Sequence, residues 1–155
     1  MSARIVADYR ALAALLGRER AGGPRLVLAN GCFDVLHVGH VRLLADARRL
    51  GELLVVALNT DASVARNKGP RRPRVPLAER MEVIAALAGV DYVTSFDEPT
   101  AHDLIRALRP DVHAKGTDWT ADAVPEREEV ERHGGRVAIC GDPKTHSSSA
   151  LIERE

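Results

Sequence analysis

The chain has 155 residues and a mass of 16.8 kDa, the size of one domain, and its 45% hydrophobic share is enough for a core. Lys plus Arg equal Asp plus Glu, 22 against 22, and aromatic residues make up 3%, which excludes the usual charge and stacking signature of a nucleic-acid binder. No run nears the ~18 apolar residues of a membrane helix, no secretory leader opens the chain, and Cys32 and Cys140 are too few for a disulfide scaffold, so the expectation is a cytoplasmic protein with reduced thiols and no membrane partner.

The first predicted element is a helix over residues 8–20, with Asp8 as N-cap, Tyr9, Leu12, Leu15 and Leu16 on one face, and Gly22-Gly23-Pro24 as the stop. A short apolar strand over 26–29 runs into the turn Asn30-Gly31-Cys32-Phe33-Asp34. The spacing of Val41, Leu44, Ala45 and Arg48 then predicts a helix over 38–50, and 53–58 is a second strand. Residues 76–87 read as a helix with Leu77, Ile84 and Leu87 inward, and 91–94 as a strand. A helix over 100–108 ends ahead of Pro110, because a residue before proline avoids the helical region. A weak strand at 112–114, a helix over 121–133 stopped by Gly134-Gly135, a strand at 136–139 and a short helix from Ser147 complete the chain. Five apolar strands separated by helices predict one α/β domain, a Rossmann-like doubly wound fold with a five-stranded parallel sheet. Residues 1–24 stand outside it as an N-terminal helical extension, and 25–155 form the core.

In such folds ligands bind beyond the carboxyl ends of the strands. The richest post-strand segment is Gly31-Cys32-Phe33-Asp34-Val35-Leu36-His37-Val38-Gly39-His40. Its helix N-terminus offers free amides and the positive end of a dipole. His37 and His40, three apart, lie on one side of the first turn, and Gly39 between them leaves room for a close approach. Two imidazoles at a helix start form a site for a polyphosphate, although a pair at this spacing also occurs in ordinary packing. Neither cysteine adds a zinc-type spacing, and no protein metal ligand is assigned.

The segment resembles the His-x-Gly-His signature of the small nucleotidyltransferase superfamily. Further stretches are similar to one branch, the bacterial D-glycero-D-manno-heptose 1-phosphate adenylyltransferases. They are residues 59–64, Lys68-Gly69-Pro70, Ala78-Glu79-Arg80, Phe96-Asp97-Glu98, residues 105–112, Lys115-Gly116-Thr117-Asp118-Trp119 and residues 147–153, so the likeness spans most of 26–153. The resemblance implies one nucleotidyltransferase domain over 1–155, transfer of AMP from ATP to a sugar 1-phosphate, release of pyrophosphate, Mg2+ accompanying the triphosphate, and a homodimer. It implies catalytic roles for His37, His40 and Lys68. Gly31, Cys32, Phe33, Gly39, Asn59, Arg80, Ser147, Ser148 and Ser149 are expected at the nucleotide, and Asp34, Lys115, Asp118 and Trp119 at the acceptor.

Lys68 belongs to a run of five basic residues within 66–74 that contains no acid and follows the second strand, where it faces the crevice in such a fold. Serines at a helix start serve as N-caps as readily as anion donors, and Trp119 is compatible with a core position as well as a pocket. Pantetheine-phosphate and nicotinamide-mononucleotide adenylyltransferases carry an Arg where this chain has Ile152, which separates it from them. Two rivals stay open: a CTP-dependent cytidylyltransferase acting on glycerol 3-phosphate, another polyol phosphate or a phosphonate, and a nucleotide-binding module without turnover.

Overall fold

The computed structural model describes residues 2–143 and 148–153. Apolar runs without polar alternation pack only as strands covered on both faces, and the side chains of 26–29 and 54–58 are all at most 1% exposed. They form β2 (Leu26–Gly31) and β3 (Leu53–Asn59), paired in parallel register with Val27 opposite Leu54. Four more strands complete the sheet: β1 (Arg4–Asp8), β4 (Tyr92–Phe96), β5 (Val112–Gly116) and β6 (Arg136–Cys140). The order is β1-β4-β3-β2-β5-β6 and every pairing is parallel. The chain leaves β2 toward β3 and later returns to its other side at β5, which places the switch point at the carboxyl end of β2.

The helices are α1 (Tyr9–Glu19), α2 (Val38–Arg48), α3 (Asp61–Lys68), α4 (Leu77–Ala85), α5 (His102–Leu108), α6 (Arg127–Arg132) and α7 (Ser148–Glu153). Side chains alternate along each strand, and the two resulting rows carry separate cores. Val27, Ala29, Leu54, Val56 and Leu58 pack with α2 and α4 on one face, through Leu44, Ala47, Met81 and Ile84. Leu26, Leu28, Val55 and Ala57 pack with α1, α5 and α6 on the other, through Leu12, Leu16, Leu104, Ile105 and Val130.

Several expectations are corrected. The sheet has six strands, because 4–8 form β1 at the edge beside β4. With only Val6 half-buried in Arg-Ile-Val-Ala-Asp, this strand has too little apolar pattern to stand out; its pairing is with residues nearly ninety positions away. Residues 2–24 are therefore a strand and a helix built into the sheet rather than a purely helical extension, and Asp8 caps α1 by accepting the Arg10 N–H at 2.9 Å. Helix α3 occupies part of the supposed basic loop; Thr60 Oγ1 accepts the Ser63 N–H at its start, and Lys68 ends its last turn. On α2 the buried residues are Leu44 and Ala47, while Val41 and Ala45 face solvent. The single helix expected over 121–133 is a 3-10 turn at Ala121–Ala123 followed by α6, the break falling at Pro125, which lacks an N–H and clashes with a preceding turn.

Candidate active site

A cleft of about 540 Å3 opens over the carboxyl ends of the strands. Its centre is the β2–α2 junction. Phe33 sits there with φ of 49°, a left-handed conformation costly for a side chain with a Cβ, while its ring is buried and lies 5.2 Å from that of His40. This reversal delivers the chain to His37, the N-cap of α2. His37 Nδ1 accepts the Gly39 N–H at 3.1 Å, and His40 Nδ1 accepts the His37 N–H at 3.2 Å. A ring nitrogen that accepts an N–H carries no proton, so each neutral imidazole holds its proton on Nε2. The two rings lie 4.0 Å apart between centroids, and both line the cleft. The backbone of one helical turn thus sets two N–H donors side by side.

Asp34, 3% exposed, accepts from Arg72 Nε at 2.7 Å and from the backbone N–H groups of Arg74 and Val75. Burial pushes its carboxyl up, but the Arg72 bond and those two amides outweigh it and hold the group below the ordinary carboxylate range. Its bonds brace the 72–75 loop against the β2 turn, and they place Arg72 on the cleft wall beside Lys68. Of the five basic residues in 66–74, Lys68 and Arg72 line the cleft, whereas Arg66 pairs with Asp97 at 3.3 Å. Arg72 was hidden within a run whose members look alike in sequence.

Arg80 is a correction. The expectation put it on the nucleotide, yet it is 1% exposed and does not line the cleft. Its guanidinium donates to Val75 O at 2.8 Å, Cys32 O at 2.7 Å, Asn59 O at 2.9 Å and Asp61 Oδ1 at 2.7 Å. It ties the ends of β2 and β3 to α3 and to the loop before α4. The residue braces the cleft from beneath, with its guanidinium bonded to protein acceptors.

Gly31, Cys32, Phe33, Gly39 and Asn59 all line the cleft. Asn59 is 7% exposed, donates to Ser63 Oγ at 3.0 Å and accepts from the Cys32 thiol at 3.7 Å, so its amide steadies the β2 and β3 ends. Burial pushes the Cys32 thiol up. Lys115 near the end of β5 and Asp118 and Trp119 just after it line the cleft, with the Lys115 ammonium 5.2 Å from the half-buried Trp119 ring. Trp119 is therefore a cleft residue and not core. Ser147 lies outside the described residues, as do the side chains of Ser148 and Ser149, whose backbone begins α7.

Sequence reasoning missed Asn30, His113 and Glu126. His113 on β5 is fully buried and its Nε2 lies 2.6 Å from Asn30 Oδ1 at the cleft floor. Burial, and then the charge of Lys115, pushes His113 down from 6.5 to about 3. The unfolded chain takes up this proton below pH 6.5 while the folded protein does not. Stability from this residue is complete above pH 6.5 and is expected to fall by about 1.4 kcal/mol per pH unit below it. Thermal melts between pH 7 and pH 5 check this: His113→Leu flattens the slope, and an unchanged slope would assign it to other groups.

The cytidylyltransferase-like family model matches residues 28–154, from β2 into the chain end. The chain belongs to the cytidylyltransferase-like family. Among curated relatives, this cytidylyltransferase-like chain is 48% identical over 149 residues to the bifunctional protein HldE of Geobacter sulfurreducens, and 50% identical over 143 residues to that of Pelobacter propionicus. These matches cover 96% and 92% of the chain but only 30% and 29% of the relatives, so it spans under a third of their length. Among solved structures it is similar to the lipopolysaccharide core biosynthesis protein of Thermoplasma volcanium, with a TM-score of 0.68, 28% identity, and coverage of 79% of this chain and all of that one. Pantoate-beta-alanine ligase of Francisella tularensis shares the fold, with a TM-score of 0.61 at 12% identity over 96% of this chain and 69% of the other.

Proposed function

We propose that the chain transfers AMP from ATP to a sugar 1-phosphate, heptose 1-phosphate in particular, with release of pyrophosphate. The observation that carries this reading is the pair of imidazoles whose Nδ1 atoms are both occupied by backbone N–H groups, on the cleft that Lys68 and Arg72 share. Identity of about half with relatives named HldE supports it, as does the likeness to a lipopolysaccharide core biosynthesis protein.

A phosphate monoester is already largely dianionic at pH 7, its second pKa being about 6, and attacks the α-phosphorus without a general base. The work left to the protein is alignment of the two reactants and neutralisation of charge. His37 and His40 donate from Nε2 to the α- and β-phosphate oxygens as charge builds on the departing pyrophosphate. The α2 N-terminus adds its dipole, and Lys68 with Arg72 offsets the charges of both substrates. Among the described residues no three His, Cys, Asp or Glu side chains converge as a metal cluster. Mg2+ is expected to accompany the triphosphate, whose oxygens and waters supply most of its ligands. A second copy of the chain is the expected assembly partner; nucleic acid is not an expected partner. Among the described residues no helix is long and apolar enough to cross a membrane.

The family model's cytidylyltransferase character keeps CTP as the second reading. Pyrophosphate release measured with each of four NTPs against heptose 1-phosphate, other sugar 1-phosphates and glycerol 3-phosphate decides. ATP with a sugar 1-phosphate is the expected productive pair; turnover with CTP and indifference to ATP would replace it. Tight NTP binding with no product from any acceptor would leave a nucleotide-binding module.

A further inference from the structure

The wall of the cleft on the α5 and α6 face carries two polar side chains, Glu126 and Asn30, and one oxygen of Glu126 is satisfied by no described residue. Glu126, immediately before α6, is 6% exposed and lines the cleft. One of its carboxyl oxygens accepts the Ala101 N–H at 3.3 Å, while Oε2 is buried with no hydrogen-bond partner among the described residues. A buried carboxyl oxygen without a donor is costly and rare, and in a cleft it marks a place where a ligand supplies the missing proton.

The second group is Asn30. Leu26, Leu28 and Asn30 alternate onto the same face of β2, where the first two pack against Val130 of α6. His113 has no partner at Nδ1. A buried acceptor left bare costs less than a buried bare N–H, so the ring proton sits on Nε2 and is donated to Asn30 Oδ1. That bond occupies Asn30 Oδ1, and Asn30, whose amide also carries an NH2 donor, lines the cleft. An acceptor and a donor thus occur on one wall, across the sheet from α2.

Geometry assigns this wall to one of the two substrates. Attack in line on the α-phosphorus requires the incoming oxygen opposite the departing pyrophosphate. With pyrophosphate over the imidazoles of α2, the acceptor enters from the α5 and α6 side.

We propose that Glu126 and Asn30 form the subsite for the acceptor's hydroxyl groups. Glu126 Oε2 takes a hydroxyl hydrogen bond, the Asn30 amide gives one, and His113 is the positioning residue behind Asn30. The chain thereby selects phosphorylated sugars and polyols over phosphomonoesters poor in hydroxyls. This subsite rests on the sugar 1-phosphate reading above.

The test is steady-state kinetics of the unaltered chain and of Glu126→Gln, with heptose 1-phosphate, mannose 1-phosphate and singly deoxygenated mannose 1-phosphates. Gln retains the bond to Ala101 and replaces the unpartnered oxygen by a donor. Expected is a rise of roughly 10-fold or more in acceptor KM with the KM for ATP held within about twofold. At least one deoxygenated substrate should lose affinity with the unaltered chain and lose no more with Glu126→Gln. Acceptor KM unchanged in an active Glu126→Gln protein overturns the subsite alone, as does a loss that falls on ATP. If Glu126→Gln does not fold, the deoxygenated series on the unaltered chain decides, and equal KM across that series overturns the subsite. No turnover of any sugar phosphate by the unaltered chain overturns the reading beneath it as well.

Discussion

Replacing His37 by asparagine is expected to cut kcat by about 10²-fold or more while leaving the melting temperature nearly unchanged. Asparagine is among the strongest N-caps, and its side-chain oxygen replaces Nδ1 as acceptor for the Gly39 N–H. What it removes is the Nε2 donor. His40→Ala should give a kcat loss of similar size, because its ring holds the second such donor. The two losses together should be less than additive, since both rings serve one developing charge. Single-turnover rates with saturating ATP check this, and near-normal turnover in both single variants would remove the imidazoles from the mechanism.

Arg80→Met is expected to produce the largest loss of stability of any single change near the cleft, about 3–5 kcal/mol. It strips hydrogen bonds from three backbone carbonyls, on Cys32, Asn59 and Val75, and unpairs Asp61. For a domain of this size that corresponds to a drop in Tm of roughly 10 °C. Arg80→Lys should recover only part of it, because one ammonium cannot replace donors spread over three nitrogens in a plane. Urea denaturation with a matched m-value measures the effect. A variant as stable as the parent would return Arg80 to the phosphate-binding role expected from its place in the motif. The same bracket carries function: freeing the ends of β2 and β3 also loosens the turn that holds His37.

Much was legible in the sequence because it is local. Leu26–Gly31 and Leu53–Asn59 announce buried parallel strands by composition alone, and His-x-Gly-His after a strand marks where a helix begins at the cleft. These features depend on residues within a turn or two of each other, so periodicity and spacing expose them. The cleft gathers His37, His40, Lys68, Asp34, Lys115, Asp118 and Trp119, which the resemblance to the heptose branch had named.

Other features were decided by contacts between distant segments. β1 is a strand because β4 lies beside it. Arg80 and Lys68 are both basic and close in sequence, yet one closes four hydrogen bonds under the sheet ends and the other is exposed at the cleft. Glu126 and Asn30 carry no local signal, since an acid at a helix start and an asparagine at a strand end are ordinary; only their place on a shared cleft wall gives them meaning. Charge, polarity and period belong to the residue and its neighbours along the chain, and they place the chemistry at the right strand ends. Which group is desolvated, which donor is already spent and which faces the substrate depend on the packing of the two faces of one sheet, and that is fixed only when the chain is folded.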